Sequence, residues 1–358
     1  MLEQSKISKR QIYSSQRFMM SEIEFSIVVA VRNEKEYIEK CVKSLFNQDF
    51  DGKYEVIVVD GMSDDGTYEL LQGLQREYNF VLLRNPKINA AAGRNIGIKH
   101  AKGKFIAFID GDAYAYKDWL SNIKKIFERV DTDGVGGPDL LPEDASFKSK
   151  AIGLVMTSPL ARGGRFNPST QHTMMEEERF VDHIPTCNLC LRREIFDKVG
   201  LFDESFVKGQ DLDLSYRIRK AGYKLFYSPS VKVVHYRKQD FRSFARQIYK
   251  WAKAKVAIVK KHGLHGITSH IYLWPVYGLI ALLLILSVSL LFNLMQLFSL
   301  LLSLGLILYL LVILFESARI SKRYGDKKLF LYSLVLIPTI HVSYACGVVV
   351  ALVRRSIW

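Results

Sequence analysis

Acidic residues are scarce in this 358-residue chain: 36 Asp and Glu stand against 50 Lys and Arg, giving a net charge of +14. Cysteine is scarcer still, at four. So few thiols in so long a chain exclude a disulfide-stapled secreted scaffold and agree with a reducing compartment. Cys187 and Cys190 form a C-x-x-C pair, but two further zinc ligands at a suitable spacing are missing. The pair also follows the extended IPTCNLCL instead of opening a helix, so it reads as structural. Residues 1–22, MLEQSKISKRQIYSSQRFMMSE, lack an apolar core of signal-peptide length. They are expected to form a flexible basic N-terminus, with the domain that follows staying in the cytoplasm. No nucleic-acid recognition motif accompanies the positive charge, which excludes the DNA-binding reading.

Two long stretches lack charge altogether. From His262 to Phe315, and again from Leu329 to Val353, there is no Asp, Glu, Lys or Arg. A spanning helix needs about 20 apolar residues, so the first run suffices for two spans and the second for one. The expected spans are 271–292, 296–315 and 329–353. Just before them, Phe241, Phe244, Ala245, Ile248, Ala252, Val256 and Val259 share one helical face, opposite Arg242, Arg246, Lys250 and Lys253. Such a basic amphipathic helix, at 241–266, is expected to lie in the membrane interface. An ordinary solvated helix packing on the domain is the competing reading. Anionic lipid headgroups are the partner that this clustered charge implies.

Ahead of the tail, short β-branched runs alternate with helical periodicity. Strands are expected at Phe25 to Val31, Tyr54 to Val59, Phe80 to Leu83 and Phe105 to Ile109, and helices after Asn33 (as N-cap), from Thr67 to Tyr78 and from Ala90 to His100. That alternation specifies an α/β domain with a mostly parallel, Rossmann-like sheet, whose ligands bind at the carboxyl ends of the strands. Polar residues stand at three of those ends: Arg32, Asn33 and Glu34; Asp60 and Ser63; Asp110 and Asp112. Asp139 to Ile184 reads as a long loop over the site, Leu189 to Gly200 and Asp211 to Gly222 as helices, and Phe226 to His235 as a strand.

Asp110-Gly111-Asp112 sends two carboxylates out of a buried strand. Mg²⁺ or Mn²⁺ prefers such oxygen ligands together with the phosphates of a substrate. An Asp-Gly pair alone also makes turns, but a second acid-rich loop, DGMSDDGT at Asp60 to Thr67, sits on a neighbouring strand end.

At this point the chain resembles family 2 glycosyltransferases, through VVAVRNE at Val28 to Glu34, VIVVDGMSDDGT at Val56 to Thr67, NAAAGRNIGI at Asn89 to Ile98, FIAFIDGDA at Phe105 to Ala113, GQDLDLSYRIRKAG at Gly209 to Gly222, and RQIYKW at Arg246 to Trp251. It is most similar in character to the membrane-tethered branch that builds exopolysaccharides or lipid-linked oligosaccharides. The resemblance implies a GT-A nucleotide-diphospho-sugar transferase domain at 23–240. It implies an inverting, metal-dependent transfer from a nucleotide-sugar donor to a membrane-associated, polyprenyl-linked or glycan acceptor, with Mg²⁺ or Mn²⁺ as cofactor. Residue by residue, Ala30, Arg32, Glu34, Asp60, Ser63, Arg94, Asp110 and Lys250 are expected to bind donor, Asp110 and Asp112 to form the DxD metal site, and Asp211 to be the catalytic base. The chain departs from the pattern at Val31 for proline, Gln210 for the acid of a Glu-Asp pair, and Lys250 for arginine. The last weakens a processive-synthase reading, because lysine is a point charge where arginine is a fork.

Alternatives remain at this stage. A polyprenyl-phosphate monosaccharide synthase would use the same donor site, and a catalytically dead sugar-nucleotide sensor would be expected to have lost Asp112 or Asp211, which are both present. Asp211 could pair with Arg217 or Arg219, His235 could touch metal or diphosphate or merely pack, and His341 reads as a helix-packing residue. Lys and Arg between Glu316 and Lys328 place that loop on the cytoplasmic side of the plasma membrane with the catalytic domain, and leave the uncharged turn near Asn293 to Gln296 outside. A third span then carries Arg354 and Arg355 outside, against the same rule.

Overall fold

A computed structural model describes residues 23–162, 175–236, 240–263, 273–292 and 294–353. They fall into two compact units. The first comprises the described residues up to Pro138, Met175–Glu204 and Leu214–Val234; the second comprises Asp139 onward to the following break, Ser205–Asp213, and His235 onward.

The first unit is built on an eight-stranded sheet. In chain order its elements are β1 (Phe25–Val31), α1 (Ile38–Phe46), β2 (Tyr54–Asp60), α2 (Thr67–Leu74), β3 (Val81–Arg84), α3 (Ala90–His100), β4 (Phe105–Asp110), β5 (Ala113–Ala115), α4 (Trp119–Arg129) and β6 (Gly134–Gly136). The sheet order is β3-β2-β1-β4, then β9 (Leu189–Arg192), β6, β10 (Leu225–Tyr227) and β8 (Arg179–Val181). The first four strands are parallel, and the continuous apolar runs of β1, β2 and β4 are those of strands covered on both faces. One side of the sheet packs Val29, Val58 and Ala107 against Ile38, Leu45, Leu71 and Trp119. The other packs Val28, Ile57 and Phe108 against Ile98, Leu189 and Phe202.

Leu189 to Gly200 is not one helix: Leu189–Arg192 pairs antiparallel with both β4 and β6, and only Ile195–Val199 (α7) is helical. Three apolar residues and an arginine suit either state, and the gap between β4 and β6 decided for strand. Two other expectations are also revised. Asn33 does not cap α1, which starts at Ile38 after Tyr37; Asn33 instead sits at φ +56° in the strand-to-helix loop. Asp139 to Ile184 is no bare loop, since it holds β7 (Asp139–Leu140), α5 (Phe147–Met156), α6 (Pro159–Arg162) and β8.

Glycine sets how closely α3 lies on β1. A Cβ at Gly97 would stand 2.3 Å from Val28 Cγ1, and one at Gly93 would stand 3.3 Å from Ala30 Cβ. Gly97→Ala is therefore expected to destabilise the protein by about 1–3 kcal/mol through overpacking. Gly73→Ala, in α2 with nothing within 4 Å, should instead stabilise by up to about 1 kcal/mol through helix propensity. Chemical denaturation of the detergent-solubilised variants checks the opposite signs.

The second unit contains α5, α6, the start of α8 (Gln210–Lys220) and four long helices: α9 (Phe241–His262), α10 (Trp274–Leu291), α11 (Met295–Tyr324) and α12 (Lys328–Val353). The last three are long and apolar enough to cross a membrane. The basic amphipathic helix is α9, but its apolar face is not left for lipid. Phe244 and Ile248 join Ala151, Ile152, Ile313 and Ile337 in one cluster, and Ala252 and Val256 join Val348 and Ala351 in another.

Candidate active site

The register of the parallel strands gathers the expected donor residues at one sheet edge. Ala30 lies opposite Asp110, and Val31 lies opposite Asp60, so the two acids flank the end of β1. Gly111 allows the chain to turn there, because a Cβ would meet Val31 Cγ2 at 2.7 Å. Carboxylate oxygens of Asp110 and Asp112 come within 4.8 Å of each other. Both also press on the buried Cys41 thiol, whose pKa is pushed up first by burial and then by Asp112 and Asp110, so Cys41 stays protonated.

Asp110 is held by Arg94. The guanidinium Nη2 donates to Asp110 Oδ1 at 2.8 Å, and the Arg94 side chain is only 9% exposed. The close approach of α3 at Gly93 and Gly97 is what brings this cation to the strand end. Asp110 and Asp112 together present carboxylate oxygens of the kind that Mg²⁺ and Mn²⁺ take as ligands.

The second acidic loop is tied to the first strand end by reciprocal bonds. Asn33 N–H donates to Ser63 Oγ at 3.0 Å, Asn33 Nδ2 to Asp64 Oδ1 at 2.7 Å, and Asp64 N–H back to Asn33 Oδ1 at 3.0 Å. Glu34 N–H donates to Thr67 Oγ1 and Lys35 N–H to Asp65. Burial alone would raise the Asp65 pKa, but hydrogen bonds from Thr67 and Lys35 outweigh it and hold the carboxyl below its ordinary value. Asn33, Glu34, Lys35, Glu36, Tyr37 and Asp65 line an open hollow beside these ties.

Asp60 is fully buried. It accepts from Ser63 N–H at 3.1 Å and lies 3.5 Å from Arg84 Nε. Its carboxylate thus shapes the loop, while Arg32 stays exposed and Glu34 half-buried at the rim. The sequence reading missed Arg84. Its signal was its place at the end of β3, opposite Asp60 in register, where it also lies over the Tyr68 ring at 3.9 Å.

Asp211 and Lys250 belong to the second unit. Asp211 is half-buried in the first turn of α8, where the helix dipole favours a negative charge. Lys250 is exposed on α9. The start of α8 is anchored to the end of α9: Lys261 Nζ and His262 Nε2 reach the buried Asp213 Oδ1 at 2.7 and 2.8 Å. Gly209, at φ +82°, leaves room for Ala254, whose Cβ would be 2.9 Å from an added Cβ. Arg219, one of the two arginines considered for Asp211, pairs instead with Asp182 at 3.0 Å.

Gln210 has a role that the family acid could not fill. Its Nε2 donates to the carbonyls of Phe206 and Val207 at 3.0 and 3.2 Å. Gln210→Glu removes both donors from a buried position and should cost about 1–3 kcal/mol of stability, read as a lower thermal midpoint with donor affinity retained.

The two histidines also find partners in the second unit. His235 Nδ1 lies 3.5 Å from Asp139 Oδ2. His341 makes the packing contacts expected of it, with Tyr309 Oη at 3.0 Å and the Leu160 carbonyl at 3.1 Å. Cys187 and Cys190 are both buried, and burial pushes the Cys190 thiol well up.

Comparison with known proteins agrees with this geometry. Residues 26–200 match Glycosyl transferase family 2, and residues 185–322 match Glycosyl transferase family 21. One relative is the dolichyl N-acetyl-alpha-D-glucosaminyl phosphate 3-beta-D-2,3-diacetamido-2,3-dideoxy-beta-D-glucuronosyltransferase of Methanococcus voltae, 28% identical over 74% of this chain and 82% of that protein. Another is the glycosyltransferase AglE of Haloferax volcanii, 29% identical over 65% of this chain and 76% of that protein. In structure, the chain is similar to a mannosyltransferase of Pyrobaculum calidifontis solved with GDP-Man and Mn²⁺, at a TM-score of 0.57, 17% identity and coverage of 90% of this chain and 87% of that one. That likeness speaks for the fold. The chain is a glycosyltransferase with the GT-A fold, and its residues 26–200 match family 2.

Proposed function

We propose that this enzyme transfers a sugar, with inversion, from a nucleotide-sugar donor to a membrane-associated, polyprenyl-linked acceptor in the assembly of a lipid-linked glycan or an exopolysaccharide. The observation that carries the donor half is the convergence of Asp60, Asp110 and Asp112 at the end of β1, with Arg94 holding Asp110. The acceptor half is supported by the relatives, among them a transferase named for a dolichyl phosphate-linked sugar and the amylovoran and succinoglycan biosynthesis proteins of Erwinia amylovora and Rhizobium meliloti.

In this reading Arg32, Glu34, Ser63 and the backbone at Ala30 receive the nucleotide, and Asp60 positions the loop that carries Ser63. Asp110 and Asp112 would hold Mg²⁺ or Mn²⁺. When bound, the cation neutralises charge on the leaving diphosphate. Lys250 and Arg94 add positive charge for the same purpose. Asp211 takes the proton of the acceptor hydroxyl as its oxygen bonds to the anomeric carbon. The bond from that carbon to the diphosphate breaks on the opposite side, and the nucleoside diphosphate leaves. One carboxylate is enough for this step. The catalytic domain faces the cytoplasm of a plasma-membrane protein anchored by the hairpin of α10 and α11, with the basic residues of α9 near the lipid headgroups.

The experiment is a panel of nucleotide sugars offered to detergent-solubilised protein with Mn²⁺ or Mg²⁺. One donor should both protect the protein from thermal unfolding and be hydrolysed slowly. Protection that does not depend on metal would contradict the cation role, and protection by no donor would contradict the donor reading.

A further inference from the structure

α12 has the composition of a span, but its neighbours are in the wrong places for one. Its first turns meet the end of α11: Leu329 clusters with Ile320 and Ile313, and Tyr332 packs against Phe147 of α5. Its last turns meet the start of α10: Val348 and Ala351 cluster with Leu273 and Val276. Between them, His341 reaches Tyr309 and Trp274, and Trp274 stacks on Tyr344. If α10 crosses outward from Trp274 and α11 returns to Tyr324, then both ends of α12 lie at the near-side ends of that hairpin. A third span running antiparallel to α11 would put Val348 and Ala351 level with Leu291, at the other end of α10.

The polar neighbours lead to the same placement. The basic helix α9 runs against the last turns of α12. Lys260 Nζ donates to the Ala351 carbonyl at 2.7 Å, Lys255 lies 5.3 Å from the Tyr344 ring, and Gly347 leaves room for the Tyr249 carbonyl. At the other end, Lys328 lies 6.0 Å from the Phe147 ring. From Leu329 to Ala351 a helix extends roughly 33 Å, about the hydrocarbon thickness. A spanning α12 would thus place Lys260 and Lys328 on opposite faces of the bilayer, although no apolar span separates α5 from α9 in the sequence. Burial follows suit: 33% of the most apolar stretch of α12 is inside the protein, against 11% for α10 and 6% for α11.

We propose that α12 does not cross the bilayer but lies against its near leaflet, so that the tail crosses twice. Its exposed apolar residues, Leu331, Val335, Val342, Val349 and Val353, form the face for lipid. Lys327 and Lys328 at one end, and Lys255 and Lys260 of α9 at the other, supply the cations that an anionic leaflet attracts. This placement also removes the violation of the positive-inside rule that a third span creates.

The inference rests on the hairpin of α10 and α11 crossing the membrane, and one labelling series tests the two separately. Single cysteines replace Leu294, Lys327 and Val353, all exposed, in a Cys346→Ser background that retains donor binding. Sealed vesicles of both orientations are treated with a membrane-impermeant maleimide. Lys327→Cys and Val353→Cys should label from the same face and Leu294→Cys from the opposite one. Labelling of positions 327 and 353 from opposite faces would overturn the placement of α12, and labelling of position 294 from the face of 327 would overturn the hairpin.

Discussion

Replacing Asp211 by asparagine should abolish most transfer while leaving the donor bound. The substitution keeps the size of the side chain and its place in the first turn of α8, but an amide cannot accept the acceptor's proton. General acid-base assistance accounts for about 10²–10⁴ in rate, and transfer should fall within that range. The measurement is a radiolabelled transfer assay beside calorimetric donor titration of the same preparation. Near-normal transfer by the variant would remove Asp211 from that role, and loss of donor affinity in step with rate would make it a donor contact instead.

Asp112→Asn should fail in the complementary way. In the proposed site Asp112 supplies a carboxylate to the divalent ion beside Asp110, which shares one oxygen with Arg94. Exchanging that carboxylate for a neutral amide weakens the grip on a hard cation. Donor affinity measured with Mn²⁺ should drop at least about tenfold, which is 1.4 kcal/mol, whereas the weak affinity measured with chelator should match the wild type. Transfer falls with donor binding, so the ratio of the two distinguishes Asp112 from Asp211. Unchanged metal dependence would mean that the cation sits elsewhere.

Much of this organisation is legible in the sequence, because parallel strands covered on both faces show as unbroken runs of Val and Ile, and their ends carry the polar residues. β1, β2 and β4 fall within a residue of their expected limits for that reason. Periodicity could not decide Leu189–Arg192, since so short a run fits a strand or a helix and its partners β4 and β6 are distant in sequence. Asn33 looks like a helix cap by residue type. Its real work, a reciprocal tie to Asp64 across the strand ends, depends on a backbone conformation that only the folded loop defines.

Arg84 and Arg94 show the same limit. Both are single charged residues in otherwise ordinary elements, and their significance comes from what register and close helix packing place opposite them. Gln210 read as the loss of an acid, whereas in the folded chain it is the gain of a donor for two carbonyls. The apolar tail is the clearest case. Hydropathy sees three similar segments, while the residues that contact α12 distinguish it from the other two.

The claim that matters most is that this chain moves a sugar from a nucleotide to a lipid-borne acceptor. Membranes containing the wild-type enzyme or Asp211→Asn would be incubated with the radiolabelled donor selected from the panel, and lipid would then be extracted into organic solvent. The account predicts label in the organic phase that requires divalent metal and depends on Asp211. Label confined to the aqueous phase as free sugar in a complete acceptor-containing membrane, or organic-phase label equal in the two preparations, would contradict it.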